Sequence, residues 1–172
     1  MSNAGTAARG SRLPGTAAAA VGLAGVGFIG VGLWGRRDVV QALAAERIVD
    51  TPRGRGHARA PVATPREARS LAELIRGNTI RATGGRTYAE TDPYVDADGA
   101  PTADIACAIR DERTGQALEN PSHDLWVQSM TLQTALMQAY VAFRLAELTV
   151  ALGVSFLGVA VGLSAGGRRS RR

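Results

Sequence analysis

The sequence predicts a mainly α-helical membrane protein, with two transmembrane helices forming an antiparallel pair and a small helical extracytoplasmic domain between them. Three observations carry this. Residues 16–34 run for 19 positions without a charge, and residues 148–165 for 18 more. All 15 acidic residues fall between Asp38 and Glu147. In the tails before the first apolar stretch and after the second the only charged side chains are arginines: Arg9 and Arg12 before the first, then Arg168, Arg169, Arg171 and Arg172 after the second.

The chain divides accordingly. Residues 1–15 form a cytoplasmic tail, 16–34 and 148–165 the two spans, 35–147 an extracytoplasmic helical region with linkers, and 166–172 a basic cytoplasmic tail. At 1.5 Å per residue the spans measure roughly 28 and 27 Å, close to the ~30 Å of a hydrocarbon core. Trp34 and the Arg36–Arg37 pair bracket the first span, as an interfacial aromatic followed by aqueous charge would. A cleaved signal peptide is the competing reading of this segment. Its nearest small-x-small site, Ala42-Leu43-Ala44, lies beyond three charged residues, so an uncleaved signal anchor is expected. Arg36–Arg37 follows the apolar run, whereas a twin-arginine export signal would precede it.

Orientation follows from the basic residues near the span ends. The topology determinants are Arg168, Arg169, Arg171 and Arg172, which hold that end in the cytoplasm, and with two spans the N-terminal flank shares the side. Arg36 and Arg37 argue mildly the other way.

Helices in lipid associate through close backbone approach, so small residues mark their contacts. Gly158, Gly162 and Gly166 repeat every four residues in the second span, and Gly22 and Gly25 lie in the first, beside Gly27, Gly30 and Gly32. The first five are the expected packing positions. Arg144 and Glu147, three apart, form an expected ion pair at the membrane boundary.

Between the spans, residues 38–49 lack Gly and Pro and continue the first helix until Asp50-Thr51-Pro52. The linker from Arg53 to Arg59 is basic and is expected as a solvated loop, with contact to anionic lipid or an acidic polymer as the alternative. Thr64-Pro65-Arg66-Glu67 has the form of a capping box with proline at the first helical position. Leu71, Leu74, Ile75 and Ile80 are its expected apolar stripe, and Gly84-Gly85 its end. Asp96-Ala97-Asp98-Gly99 matches part of a calcium loop, but that motif needs acids at positions one and twelve, where Tyr94 and Ile105 stand. An Asp-Gly turn is expected instead. Residues 103–111 are expected to form a short helix, and Arg113-Thr114-Gly115 a turn. Asn120-Pro121 then opens a single helix running into the second span, with no Gly or Pro from Ser122 to Leu152.

The net charge of +5 and pI of 10.6 invite a nucleic-acid reading. Sorted by segment, the middle is nearly neutral and the excess lies in the two flanks, so no nucleic-acid partner is expected. One cysteine, Cys107, is expected as a covered side chain among Ile105, Ala106, Ala108 and Ile109. A disulfide between two copies is the alternative. His57 sits in the arginine-rich linker and His123 in a helical first turn. No paired metal-ligand, phosphate-loop or nucleophile-elbow spacing occurs, so no catalytic, cofactor-binding or metal residue is assigned and no cofactor or enzymatic activity is expected.

Residues 65–143 resemble uncharacterised two-span membrane proteins of actinobacteria. The likeness is carried by Ala82-Thr83-Gly84-Gly85-Arg86-Thr87-Tyr88-Ala89-Glu90, the turn at Asp96–Gly99, Glu119-Asn120-Pro121, and Asp124-Leu125-Trp126-Val127. It implies a cell-membrane location and no established activity. The expected partners are the lipid bilayer, a membrane or extracytoplasmic protein, and further copies of the chain. The expected role is an interaction or scaffold module, with a subunit of an oligomeric transport or channel assembly as the alternative.

Overall fold

The computed structural model describes residues 13–48 and 61–169. The linker from Arg53 to Arg59, including His57, lies outside the described residues, as do Arg9, Arg12, Arg171 and Arg172. Among the described residues the chain forms three α-helices, α1 (Leu13–Ala45), α2 (Pro65–Ala82) and α3 (Pro121–Arg169), with a two-stranded sheet of β1 (Tyr94–Val95) and β2 (Pro101–Thr102). The protein is mainly helical. Two helices, α1 and α3, are long and apolar enough to cross a membrane. Contacts divide the chain into two compact units, Met1–Val39 with Ala142–Arg172, and Val40–Val141.

In the first unit, α1 and α3 meet backbone to backbone. A methyl group at Gly25 would stand 2.8 Å from the Gly153 carbonyl oxygen, and one at Gly153 would stand 2.6 Å from that of Gly25. Gly32 faces Ala146 and Val150, and Gly22 faces Ala160. Phe28 and Phe156 stack with ring centroids 5.5 Å apart, filling space beside the glycines. Phe143, Ala146 and Ala160 are buried side chains of α3 in this unit.

In the second unit, α1 ends at Ala45, four residues short of the expected end at Val49. The Ile48 N–H bonds the Leu43 carbonyl and the Arg47 N–H that of Ala44, a Schellman turn with Arg47 at φ 53°. This cap stops the helix before Asp50-Thr51-Pro52 is reached. α2 starts as expected: the Glu67 N–H donates to Thr64 Oγ1 at 3.2 Å, and the Thr64 N–H donates to the Glu67 carboxylate at 3.2 Å. It ends in a second Schellman turn, with Gly85 N–H on the Ile80 carbonyl and Gly84 N–H on that of Arg81. Its buried positions are Ala68, Ala72 and Thr79, whereas Leu74 is 40% exposed. The expected leucine-isoleucine stripe is thus displaced toward small residues, on the side where Arg69 meets the Tyr140 phenol of α3.

Residues 103–111 are not helical, contrary to expectation. Asp104 makes a turn, its carboxylate accepting from the Ala106 N–H at 2.8 Å and its carbonyl from Cys107 N–H. The chain then lies beside β1, where Ile109 N–H donates to Val95 O, and Leu118 N–H donates back to Ile109 O. Pairing with distant strands supplies backbone partners that a short helix would have had to supply locally. The Asp96–Gly99 turn forms as expected: the Asp96 carboxylate accepts from Asp98 and Ala100 N–H, and β1 pairs antiparallel with β2 through Tyr94–Thr102 and Val95–Pro101. Arg113 and Thr114 likewise donate to the Asp111 carboxylate in the next turn. α3 opens at Pro121, as expected, and runs unbroken to Arg169.

Candidate functional site: a strap and groove on α3

The first turns of α3 hold the segment that precedes β1. Asn120 caps the helix, accepting from the Ser122 N–H at 3.0 Å. Asn120, His123 and Trp126 are three apart and share one helix face. Each donates a side-chain N–H to a backbone carbonyl of residues 86–92: Asn120 Nδ2 to Asp92 at 2.8 Å, His123 Nδ1 to Thr91 at 2.7 Å, and Trp126 Nε1 to Arg86 at 3.1 Å. A carbonyl only accepts, so the His123 proton is assigned to Nδ1. The Asn120 backbone N–H adds a bond to Pro93 O. Trp126 is only 4% exposed, and burying a side chain of this kind is worth roughly 2–3 kcal/mol.

The strap so formed carries a 3₁₀ turn, Tyr88–Glu90. Thr87 caps it through the Glu90 carboxylate, which accepts from both the Thr87 N–H and its hydroxyl at 2.7 Å. These donors, the backbone N–H foremost, hold the Glu90 carboxyl below the usual carboxylate range. The Asp111 carboxyl is lowered in the same way, by the N–H groups of Thr114 and Arg113.

Tyr88 rests its ring on His123, centroids 5.0 Å apart. It forms one wall of a shallow groove of about 550 Å³, whose other wall is the α3 face bearing Val127, Met130, Thr131, Thr134, Ala135 and Gln138. None of these side chains is charged. α3 has no charged residue anywhere from Leu125 to Phe143, whereas α2 carries Arg66, Glu67, Arg69, Glu73, Arg76 and Arg81 along a comparable length. An exposed helix face in water ordinarily carries charge. The groove offers hydroxyl and amide hydrogen bonds beside apolar surface, which suits an uncharged contact.

Of the residues singled out in the sequence, Gly22 and Gly25 face α3. Gly158, Gly162 and Gly166 do not take part in that contact: a methyl group at any of them would meet nothing within 4 Å. Gly32 and Gly153 take part instead. Gly22, Gly25 and Gly32 are three and seven apart and so share one face, a spacing that separates them from Gly27 and Gly30. Gly153 lies seven residues from both Ala146 and Ala160, so small residues mark the same face of α3. Arg144 Nη1 donates to Glu147 Oε2 at 2.9 Å, joining the expected boundary pair. Arg168 and Arg169 lie in the last turn of α3, and their side chains are not among those described.

Cys107 is exposed, not covered as expected. The turn at Asp104 points its thiol toward the Asp104 carboxylate, 3.6 Å away, and that negative charge pushes the thiol pKa up. His123, in the first turns of α3 as expected, is half-buried beneath Tyr88. Among the described residues no group of three His, Cys, Asp or Glu side chains is placed to hold a metal ion. No protein-family model, curated protein or solved structure matches the chain.

Proposed function

We propose that the chain is a two-span integral membrane protein that serves as an interaction or scaffold module, without catalytic activity. Residues 16–34 and 148–165 cross the bilayer as an antiparallel pair, both flanks lie in the cytoplasm, and residues 35–147 lie outside. The observation that carries this reading is the approach of Gly25 to Gly153. Apolar side chains gain nothing from meeting one another in lipid, so helices there associate where glycine lets backbones touch. The arginines of the last segment support the orientation. The uncharged groove on α3 supports an interaction role for the middle region. A reporter that works only in the cytoplasm, fused after Arg172, tests the orientation. Activity there is expected; an externally active reporter at that site would overturn it.

The open face at Gly158, Gly162 and Gly166 favours a second reading, in which several copies assemble into a transport or channel complex. Mass measurement of the protein in lipid nanodiscs separates the two: a discrete high-order oligomer supports the assembly, and a monomer supports the scaffold.

A further inference from the structure

We propose that residues 86–92 are a hinged cover on the α3 groove, latched by the ring N–H groups of His123 and Trp126, and that opening lifts Tyr88 off His123. Arg86 through Glu90 are all exposed and Thr91 alone of the strap is buried, so the strap covers little surface of its own. Its carbonyls are held by donors from one face of α3, and that of Arg86 also by the Thr83 hydroxyl at 2.8 Å. Segments with few buried contacts open below the free energy of global unfolding.

The two ends of the strap differ. At Asp92 and Pro93, Asn120 holds successive carbonyls through its side chain and its own backbone N–H. At the other end stand Gly84 and Gly85, with φ of 67° and 88°. Glycine passes between left- and right-handed backbone regions at little cost, and element ends of this kind absorb hinge motion. Between these ends the strap is tied to itself: Tyr88 O accepts from both the N–H and the hydroxyl of Thr91. The Tyr88–Glu90 turn therefore moves as one piece.

The consequence for the groove follows from helix geometry. His123 and Val127 are four apart and lie one above the other on α3. Tyr88 covers the first and lines the groove beside the second. With the strap lifted, the groove extends by one turn and gains an imidazole.

Hydrogen exchange read by mass spectrometry on the full chain in nanodiscs tests this. In the wild type the Glu90 and Thr91 amides exchange faster than the Ala72 amide at the centre of α2. His123→Ala speeds strap exchange by about five- to tenfold, the effect of one lost hydrogen bond, and leaves α2 unchanged. His123→Asn, which keeps an N–H donor near the Nδ1 position, returns the strap toward the wild-type rate. A single shared rate for strap and α2 in the wild type overturns the proposal, whatever the variants do. So does a His123→Ala variant that leaves the strap unchanged or speeds strap and α2 alike.

Discussion

Gly25 and Gly153 stand so close that a side chain on either would press into the backbone of the opposite helix, 2.8 and 2.6 Å from its carbonyl oxygen. Ile29 and Leu157 flank them and leave no slack for the helices to separate locally. Gly153→Ile is therefore expected to destabilise the pair by about 1–3 kcal/mol, the range for overpacking a closed contact. Gly162→Ile, on the open face, is expected to stay within about 0.5 kcal/mol of wild type. Thermal unfolding of both variants in the same micelles makes the comparison.

Arg47 occupies the left-handed position that ends α1, at φ 53°. A non-glycine residue there costs roughly 1–2 kcal/mol, so Arg47→Gly should raise stability by up to about 1 kcal/mol once the entropy of the freer unfolded chain is subtracted. Arg47→Val should lower it. Chemical denaturation midpoints of the two variants should move in opposite directions.

Trp126 combines a buried ring with one N–H on the Arg86 carbonyl. Trp126→Phe keeps most of the ring and loses the donor, at an expected cost of about 0.5–1.5 kcal/mol. Trp126→Ala empties the site and should cost about 3–5 kcal/mol. The denaturation midpoint distinguishes the two, and a near-equal loss would mean the hydrogen bond, not the burial, holds α3 to the strap.

Glu90 and Asp111 both have carboxyls lowered by N–H donors, so each has a lower pKa folded than unfolded. Their contribution to stability is present above the unfolded value, near pH 4, and is lost as pH falls through the folded one. Thermal midpoints measured from pH 6 to pH 3 should fall less steeply for the Glu90→Gln, Asp111→Asn double variant than for wild type. At pH 6 that variant should be the less stable of the two.

Cys107 is reachable but electrostatically quiet, because Asp104 disfavours the thiolate that alkylating reagents attack. Asp104→Asn is expected to speed its reaction with iodoacetamide at pH 8 without changing the reaction of the denatured chain. Equal rates for the folded wild type and the variant would remove Asp104 as the cause.

The elements read correctly from the sequence are those whose determinants are local. Thr64 and Glu67 are three residues apart and cap α2 between themselves, and Asp96 with Gly99 closes its own turn. Residues 103–111 were misread as a helix because their backbone partners, Val95 and Leu118, lie outside the segment. Cys107 was misplaced with them. The glycine faces show a different limit. A four-residue repeat says which glycines share a face, but not which face turns to the neighbour. Gly153 lies in the contact because the backbone of α1 at Gly25 and Ile29 faces it, and its own helix marks that face only through Ala146 and Ala160, seven residues either side, not through the four-residue glycine repeat. The strap was invisible for the same reason: Asn120, His123 and Trp126 act on carbonyls 28 to 40 residues away.

The proposed two-span topology has a reporter built into the chain. Cys107 is the one cysteine in the sequence, it is exposed, and it lies in the region assigned to the outside. The measurement is labelling by a membrane-impermeant maleimide, at pH 8 to offset Asp104, on sealed right-side-out spheroplasts and on inverted vesicles. A Cys107→Ser, Ser170→Cys variant serves as the opposite marker. Labelling of Cys107 in spheroplasts, with Ser170→Cys labelled only in inverted vesicles, is the predicted result. Cys107 labelled only in inverted vesicles, or both positions labelled from one side by other than lysis, would contradict it.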